Sequence, residues 1–218
     1  MIRAVLFDID GTLLDTEGIH FEAWKAVIEK RGKTLTKADY PFVAGKTAKA
    51  IEDIFTKQYG FFLPPGTLAK EKQALVHEWF MKRPLTLMPH ALTTIRELGK
   101  IMPLAAVSSA PRSEVVLKLQ KTMIYDHFKA VVSADDVRQG KPAPDMYMLA
   151  AKQVGCTPAD CIALEDTQSG VESASAAGVR CLAIPTDYSK TQDFSKAVAR
   201  LMTLQEAASW ILTQRSAR

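Results

Sequence analysis

Five short apolar runs punctuate the chain, at residues 4–8, 103–108, 130–133, 161–166 and 179–185, each rich in Val, Ile, Leu or Ala. Most end in polar or acidic residues. Their hydrophobicity is continuous rather than alternating, which predicts strands buried on both faces, the habit of a parallel sheet covered by helices. Between them, helical spacing of apolar positions predicts helices over residues 89–99, 112–121, 145–154 and 170–177. The last three end near Met123, Gly155 and Gly178, and a glycine in such a place stops a helix readily. Strand and helix in alternation predict an α/β fold with a doubly wound, Rossmann-like parallel sheet.

The stretch 16–82 breaks that alternation. Its periodicity predicts helices over 20–31, 47–59 and 67–81, with no buried strand among them. The expected organisation is therefore an α/β catalytic core made of residues 1–15 and 83–218. A small all-α helical-bundle cap, residues 16–82, is inserted after the first strand. Such an insert sits above the carboxyl ends of the strands, where open α/β sheets bind ligands.

Composition narrows the classes of function. The 218 residues are 47% hydrophobic and 24% charged, ordinary for a globular protein. The net charge is only +4, and the lysines and arginines are scattered, so no concentrated basic face points to nucleic acid. A mild positive balance suits an enzyme that attracts anionic substrates. Cys156, Cys161 and Cys181 are odd in number and widely spaced, which gives neither a zinc signature nor a disulfide framework. The apolar start of the chain is too short for a secretory signal, and no segment is long enough to span a bilayer. These features predict a cytoplasmic protein without membrane contact, a monomer or weak dimer since no exposed apolar stripe stands out.

Candidate chemistry gathers at the ends of the predicted strands. The first delivers Asp8-Ile9-Asp10-Gly11-Thr12, two acids placed to face one cavity and a glycine that permits a tight turn. An ordinary Asp-Gly turn reads the same way in isolation. A second strand ends in Ser108-Ser109 ahead of Pro111, either a helix start or a hydroxyl with free N–H groups that cradles a phosphate. Lys141 lies in a turn bracketed by Pro142 and Pro144, and another strand ends in Glu165-Asp166. Two acids, a hydroxyl, a lysine and two more acids at one edge of one sheet make a catalytic constellation.

With these residues in place, the sequence resembles the haloacid dehalogenase-like superfamily over nearly its whole length. The first motif corresponds to Asp8-x-Asp10-Gly11-Thr12, the second to Ser108, the third to Lys141 and the fourth to Glu165-Asp166. Leu14-Asp15-Thr16-Glu17 and His20-x-x-Ala23-Trp24 are similar to the β-phosphoglucomutase-like group, which includes many sugar-phosphate phosphatases. The resemblance implies a Mg²⁺-dependent phosphatase acting on a small phosphorylated metabolite, a sugar or polyol phosphate. Asp8 is expected to be the nucleophile, and it is ionised at neutral pH without the help of a base. Asp10 is expected to act as general acid and then base. Asp8, Asp166 and the Asp10 backbone carbonyl are the expected ligands of Mg²⁺, with Glu165 either a ligand or one step behind. Lys141 should neutralise the phosphate, and Ser108 should hydrogen-bond one of its oxygens, with Ser109 beside it.

Substrate choice falls to the insert. His20 reads as a packed residue, or as a helper of Asp10 that touches substrate. The loop Ala44-Gly45-Lys46-Thr47-Ala48-Lys49 stands where relatives select substrate. The mutases of this group carry an arginine at the position of Ala48, so Lys46 and Lys49 are the only cations there to bind a phosphate, and they lack the arginine fork. Hydrolysis is therefore favoured over the alternative, a β-phosphoglucomutase that interconverts β-glucose 1-phosphate and glucose 6-phosphate. A binding module without turnover would need no such complete set of catalytic side chains. An oxidoreductase would need a glycine-rich dinucleotide fingerprint, which is missing after the first strand.

Overall fold

The computed structural model describes residues 1–216, with the side chains of the last two of these undescribed. Strand β1 (Ala4–Asp8) lies near the middle of a six-stranded sheet with β2 (Leu104–Val107), β3 (Ala130–Val132), β4 (Cys161–Glu165), β5 (Arg180–Ala183) and β6 (Ala199–Arg200). The order is β3-β2-β1-β4-β5-β6, and every pairing is parallel. The physical reason for continuous rather than alternating hydrophobicity is visible in the packing. Val5 and Phe7 of β1 enter one apolar cluster with Leu104, Ile162 and Leu182, while Ala4 and Leu6 enter another with Val107, Ala163 and Cys181. Successive side chains point to opposite faces, and helices cover both. Cys161 and Cys181 are small core residues of that second cluster, and both carry free thiols.

The helices of the sheet's two faces are α4 (Ala91–Gly99), α5 (Arg112–Lys121), α6 (Asp145–Val154), α7 (Gln168–Ala176) and α8 (Leu204–Ser216). Two elements had no counterpart in the periodicity. β6 has only two residues, below the length at which a pattern exists, and α8 has a weakly amphipathic face on which Leu204, Ala207, Ala208 and Ile211 are buried. Helix α7 begins two residues before its predicted start, because the Thr167 hydroxyl accepts the Gly170 N–H and caps it.

Between β1 and α4 stand α1 (Glu17–Glu29), α2 (Ala48–Tyr59) and α3 (Thr67–Lys82), which pack on one another around their own apolar cluster of Phe21, Trp24, Ile51, Phe55 and Leu68. The two strands of chain that lead into and out of these helices run side by side. The Asp15 N–H donates to the Thr86 carbonyl (3.0 Å) and the Met88 N–H to that of Leu13 (2.8 Å). Lys121 of α5 donates to the carbonyls of Phe80, Met81 and Arg83, satisfying the end of α3 with a cation. No helix among the described residues is long and apolar enough to cross a membrane.

Candidate active site

Parallel strands that end at one edge deliver their last residues to one place. Asp8 closes β1, Ser108 follows β2, and Glu165 closes β4 with Asp166 next; all four are buried. The turn after β1 must pass close to β4. Gly11 has φ of 84°, and a Cβ there would stand 2.2 Å from the Asp166 Oδ2, so only glycine fits.

Lys141 donates to Asp8 and to Glu165 Oε1 (2.5 Å). Glu165 is fully engaged: Tyr147 donates to Oε1 at 2.7 Å, and the Thr167 hydroxyl reaches Oε2 at 3.2 Å. Asp166 accepts from Thr12 on Oδ1 (3.2 Å), while its buried Oδ2 has no partner among the described residues. Oxygens of Asp8, Glu165 and Asp166 lie within 4.8 Å of one another. Burial, and then the charges of neighbouring acids, push Asp8 and Asp166 well above the usual carboxylate range, and Lys141 offsets this only in part. Three crowded carboxylates, one ammonium and an enclosed oxygen without a donor fit a hard divalent cation such as Mg²⁺.

Asp10 belongs to a different cluster. Lys118 donates to both of its oxygens (2.7 and 2.6 Å) and to Glu114 Oε1 (3.0 Å). Thr16 and Ser108 donate to it as well, at 2.5 and 3.1 Å. His20 Nε2 lies 3.2 Å from Asp10, and Lys72 Nζ lies 2.9 Å from His20 Nδ1. The ammonium can only donate, so Nδ1 accepts and Nε2 carries the proton toward Asp10. Burial works to raise the Asp10 pKa, but Lys118 and His20 outweigh it and hold the carboxyl well below its ordinary range. The same opposition leaves Glu114 at about 2, with Lys118 the chief cation. For His20, burial first and the Lys72 charge second lower the pKa, so the ring is neutral.

The structure thus brings Asp8, Asp10, Ser108, Lys141, Glu165 and Asp166 to one edge, and His20 reaches it from α1. Ser108 spends its hydroxyl on Asp10 and accepts the Ala110 N–H (3.1 Å), and Ser109 reaches the Gly45 carbonyl (3.4 Å). Lys46 and Ala48 line the cavity above Asp8; Lys49 is exposed and stands outside that lining. Lys118, Glu114, Lys72 and Tyr147 were not foreseen. Glu114 and Lys118 are spaced i,i+4, which reads as an exposed ion pair, yet they are 2% and 0% exposed. The available sign was Lys118 lying on the same stripe as Val115 and Leu119.

The sequence matches the haloacid dehalogenase-like hydrolases over residues 5–184. It is 30% identical to the phosphorylated carbohydrates phosphatase of Thermotoga maritima, covering 82% of each chain. The fold superposes on a mutant of CbbY of Rhodobacter sphaeroides, solved in complex with xylulose-(1,5)bisphosphate, with TM-score 0.83 at 25% identity, covering 94% of this chain and 96% of that one. A β-phosphoglucomutase from Clostridium difficile shares the fold, with TM-score 0.79 at 20% identity over 98% of this chain and all of that one. The chain belongs to the haloacid dehalogenase-like hydrolases. Within them it falls in the β-phosphoglucomutase-like group, and it is a phosphatase.

Proposed function

We propose that the protein is a Mg²⁺-dependent phosphatase for a sugar or polyol phosphate, with Asp8 as the nucleophile and residues 16–82 as a cap over the site. The observation that carries this reading is the unbalanced trio Asp8, Glu165 and Asp166, with one oxygen of Asp166 left without a donor. Bound there, Mg²⁺ would neutralise the charge that sets a carboxylate against a phosphate. Asp8 and Asp166 have oxygens to offer it, joined by the Asp10 carbonyl. Glu165 has both oxygens engaged and acts one step behind, holding Lys141.

Asp8 attacks phosphorus, and the ester oxygen leaves with the proton that Asp10 supplies; Asp10 then takes a proton from the water that hydrolyses the aspartyl-phosphate. Asp10 starts charged, and the arrival of a phosphate dianion beside it raises its affinity for the proton it must carry. Lys141 stays charged beside the transferring group, its pKa raised by Asp8 and Glu165 against the effect of burial. Ser108 and Ser109 would receive a phosphate oxygen by exchanging their bonds to Asp10 and Gly45.

Ala48 in the cavity lining favours hydrolysis over mutase activity, since no arginine fork there can grip a second phosphate. A screen of phosphorylated metabolites with Mg²⁺, following released phosphate, tests the reading. Sugar and polyol phosphates should lead it. Incubation with β-glucose 1-phosphate and a trace of glucose 1,6-bisphosphate should release phosphate; efficient conversion to glucose 6-phosphate would overturn the hydrolase assignment.

A further inference from the structure

One acid in the cavity belongs neither to the reaction above nor to the Asp10 cluster. Glu17 opens α1, is only 6% exposed, and lines the same cavity as Asp8 and Asp166. Its Oε2 is enclosed and accepts no hydrogen bond from any described residue. Burial, with a smaller contribution from the Asp10 charge, raises its pKa to about 7, partly opposed by Tyr40 and Lys72. A buried acceptor without a donor weakens a fold, and such groups call for a reason. Tyr40 hydrogen-bonds the carboxyl, which accounts for its other oxygen, and the apolar contacts of α1 come from Phe21, Trp24, Val27 and Ile28, so nothing in the packing explains Oε2.

We infer that Glu17 is a specificity-determining residue whose free oxygen accepts a hydrogen bond from a hydroxyl on the carbon skeleton of the phosphate ester. This rests on the phosphatase reading and sharpens it. Glu17 stands on the cap side of the cavity, so a group that reaches it belongs to the alcohol and not to the phosphate seated at Asp8. Its surroundings favour a neutral donor over an ammonium group, because Lys72 and Lys118 already balance the acids nearby. Trp24 and Ile51, in the same lining, offer an apolar wall to the C–H edges of a polyhydroxylated chain. A buried group built to bond a hydroxyl rejects the analogue that lacks it more strongly than any apolar pocket rejects a methylene.

The test compares D-glucitol 6-phosphate with n-hexyl phosphate, esters of equal carbon number that differ in their hydroxyls. The wild type should prefer the former by at least about tenfold in kcat/KM. In Glu17→Met, which keeps the volume and removes the acceptor, that preference should fall about tenfold, through a raised KM for the glucitol ester. The melting temperature of Glu17→Met at pH 8 should not fall, since an acid with a purely structural role would be missed by the fold. Glu17→Gln, which keeps an acceptor, should recover part of the preference. An unchanged ratio in Glu17→Met, or a loss of preference accompanied by a lower melting temperature, overturns the inference and leaves the phosphatase standing. Failure of the wild type to hydrolyse either ester overturns the polyol reading and this inference together.

Discussion

Two buried charge clusters lie side by side at the sheet edge, and they are balanced in opposite ways. Around Asp8, three carboxylates face one ammonium, that of Lys141, and one oxygen is left without a partner among the described residues. Around Asp10, two carboxylates face Lys118 directly, with Lys72 behind the neutral ring of His20. Both clusters bring potential metal ligands within reach of one another. Proximity of acids therefore does not distinguish them; the supply of cations does. In the first, Asp8 and Asp166 have raised carboxyl pKa values, and one ammonium faces three acids. The second has depressed ones and holds its own. The first is therefore the cluster that fits a metal.

Metal removal should separate the two clusters most strongly. Exhaustive chelation should abolish phosphate release, and Mg²⁺ should restore it. Calorimetric titration should find at least tenfold weaker Mg²⁺ binding in Asp166→Ala and little change in Glu114→Ala. Equal losses in the two variants would erase the distinction between the clusters. Next in size is the effect of taking a cation from the balanced cluster. Lys118→Met strands Asp10 and Glu114 in a buried place and should destabilise the fold by about 3–5 kcal/mol in urea titrations. A change within 1 kcal/mol would mean that solvent already balances those acids.

The smallest expected effect sharpens the picture at the cavity wall. Glu17 has an ordinary pKa of 4.5 and a folded value of about 7. The folded state therefore binds its proton more tightly than the unfolded chain does. The stability that this gives is full below pH 4.5 and is lost as pH rises toward 7, worth roughly 3 kcal/mol at most. Glu17→Gln lacks the titration, so its stability relative to the wild type should rise across that window and level off above it. A difference independent of pH would show that the Glu17 oxygen finds a partner.

These clusters also mark where sequence reasoning reaches and where it stops. Strand ends were legible because a strand buried on both faces must be apolar throughout, so Asp8, Ser108 and Glu165 stood out as polar residues at its end. The three helices between β1 and α4 were legible from their spacing. The Asp10 cluster was not, because it joins α1, α3 and α5 across sequence separations as large as 108 residues. Glu114 and Lys118 look in sequence like any solvated i,i+4 pair. Only tertiary packing, with Gln73 of α3 donating to Glu114 at 2.6 Å, encloses them. Lys49 fails in the reverse direction: its place in a promising loop said nothing of which way α2 would turn it.

The role of Asp8 as nucleophile is tested by phosphate release from Asp8→Asn beside the wild type, with Mg²⁺ and the same sugar phosphate. The variant should keep the circular dichroism of the folded protein and lose more than about a thousandfold in kcat. A folded Asp8→Asn protein that retains a tenth or more of the wild-type turnover would contradict it.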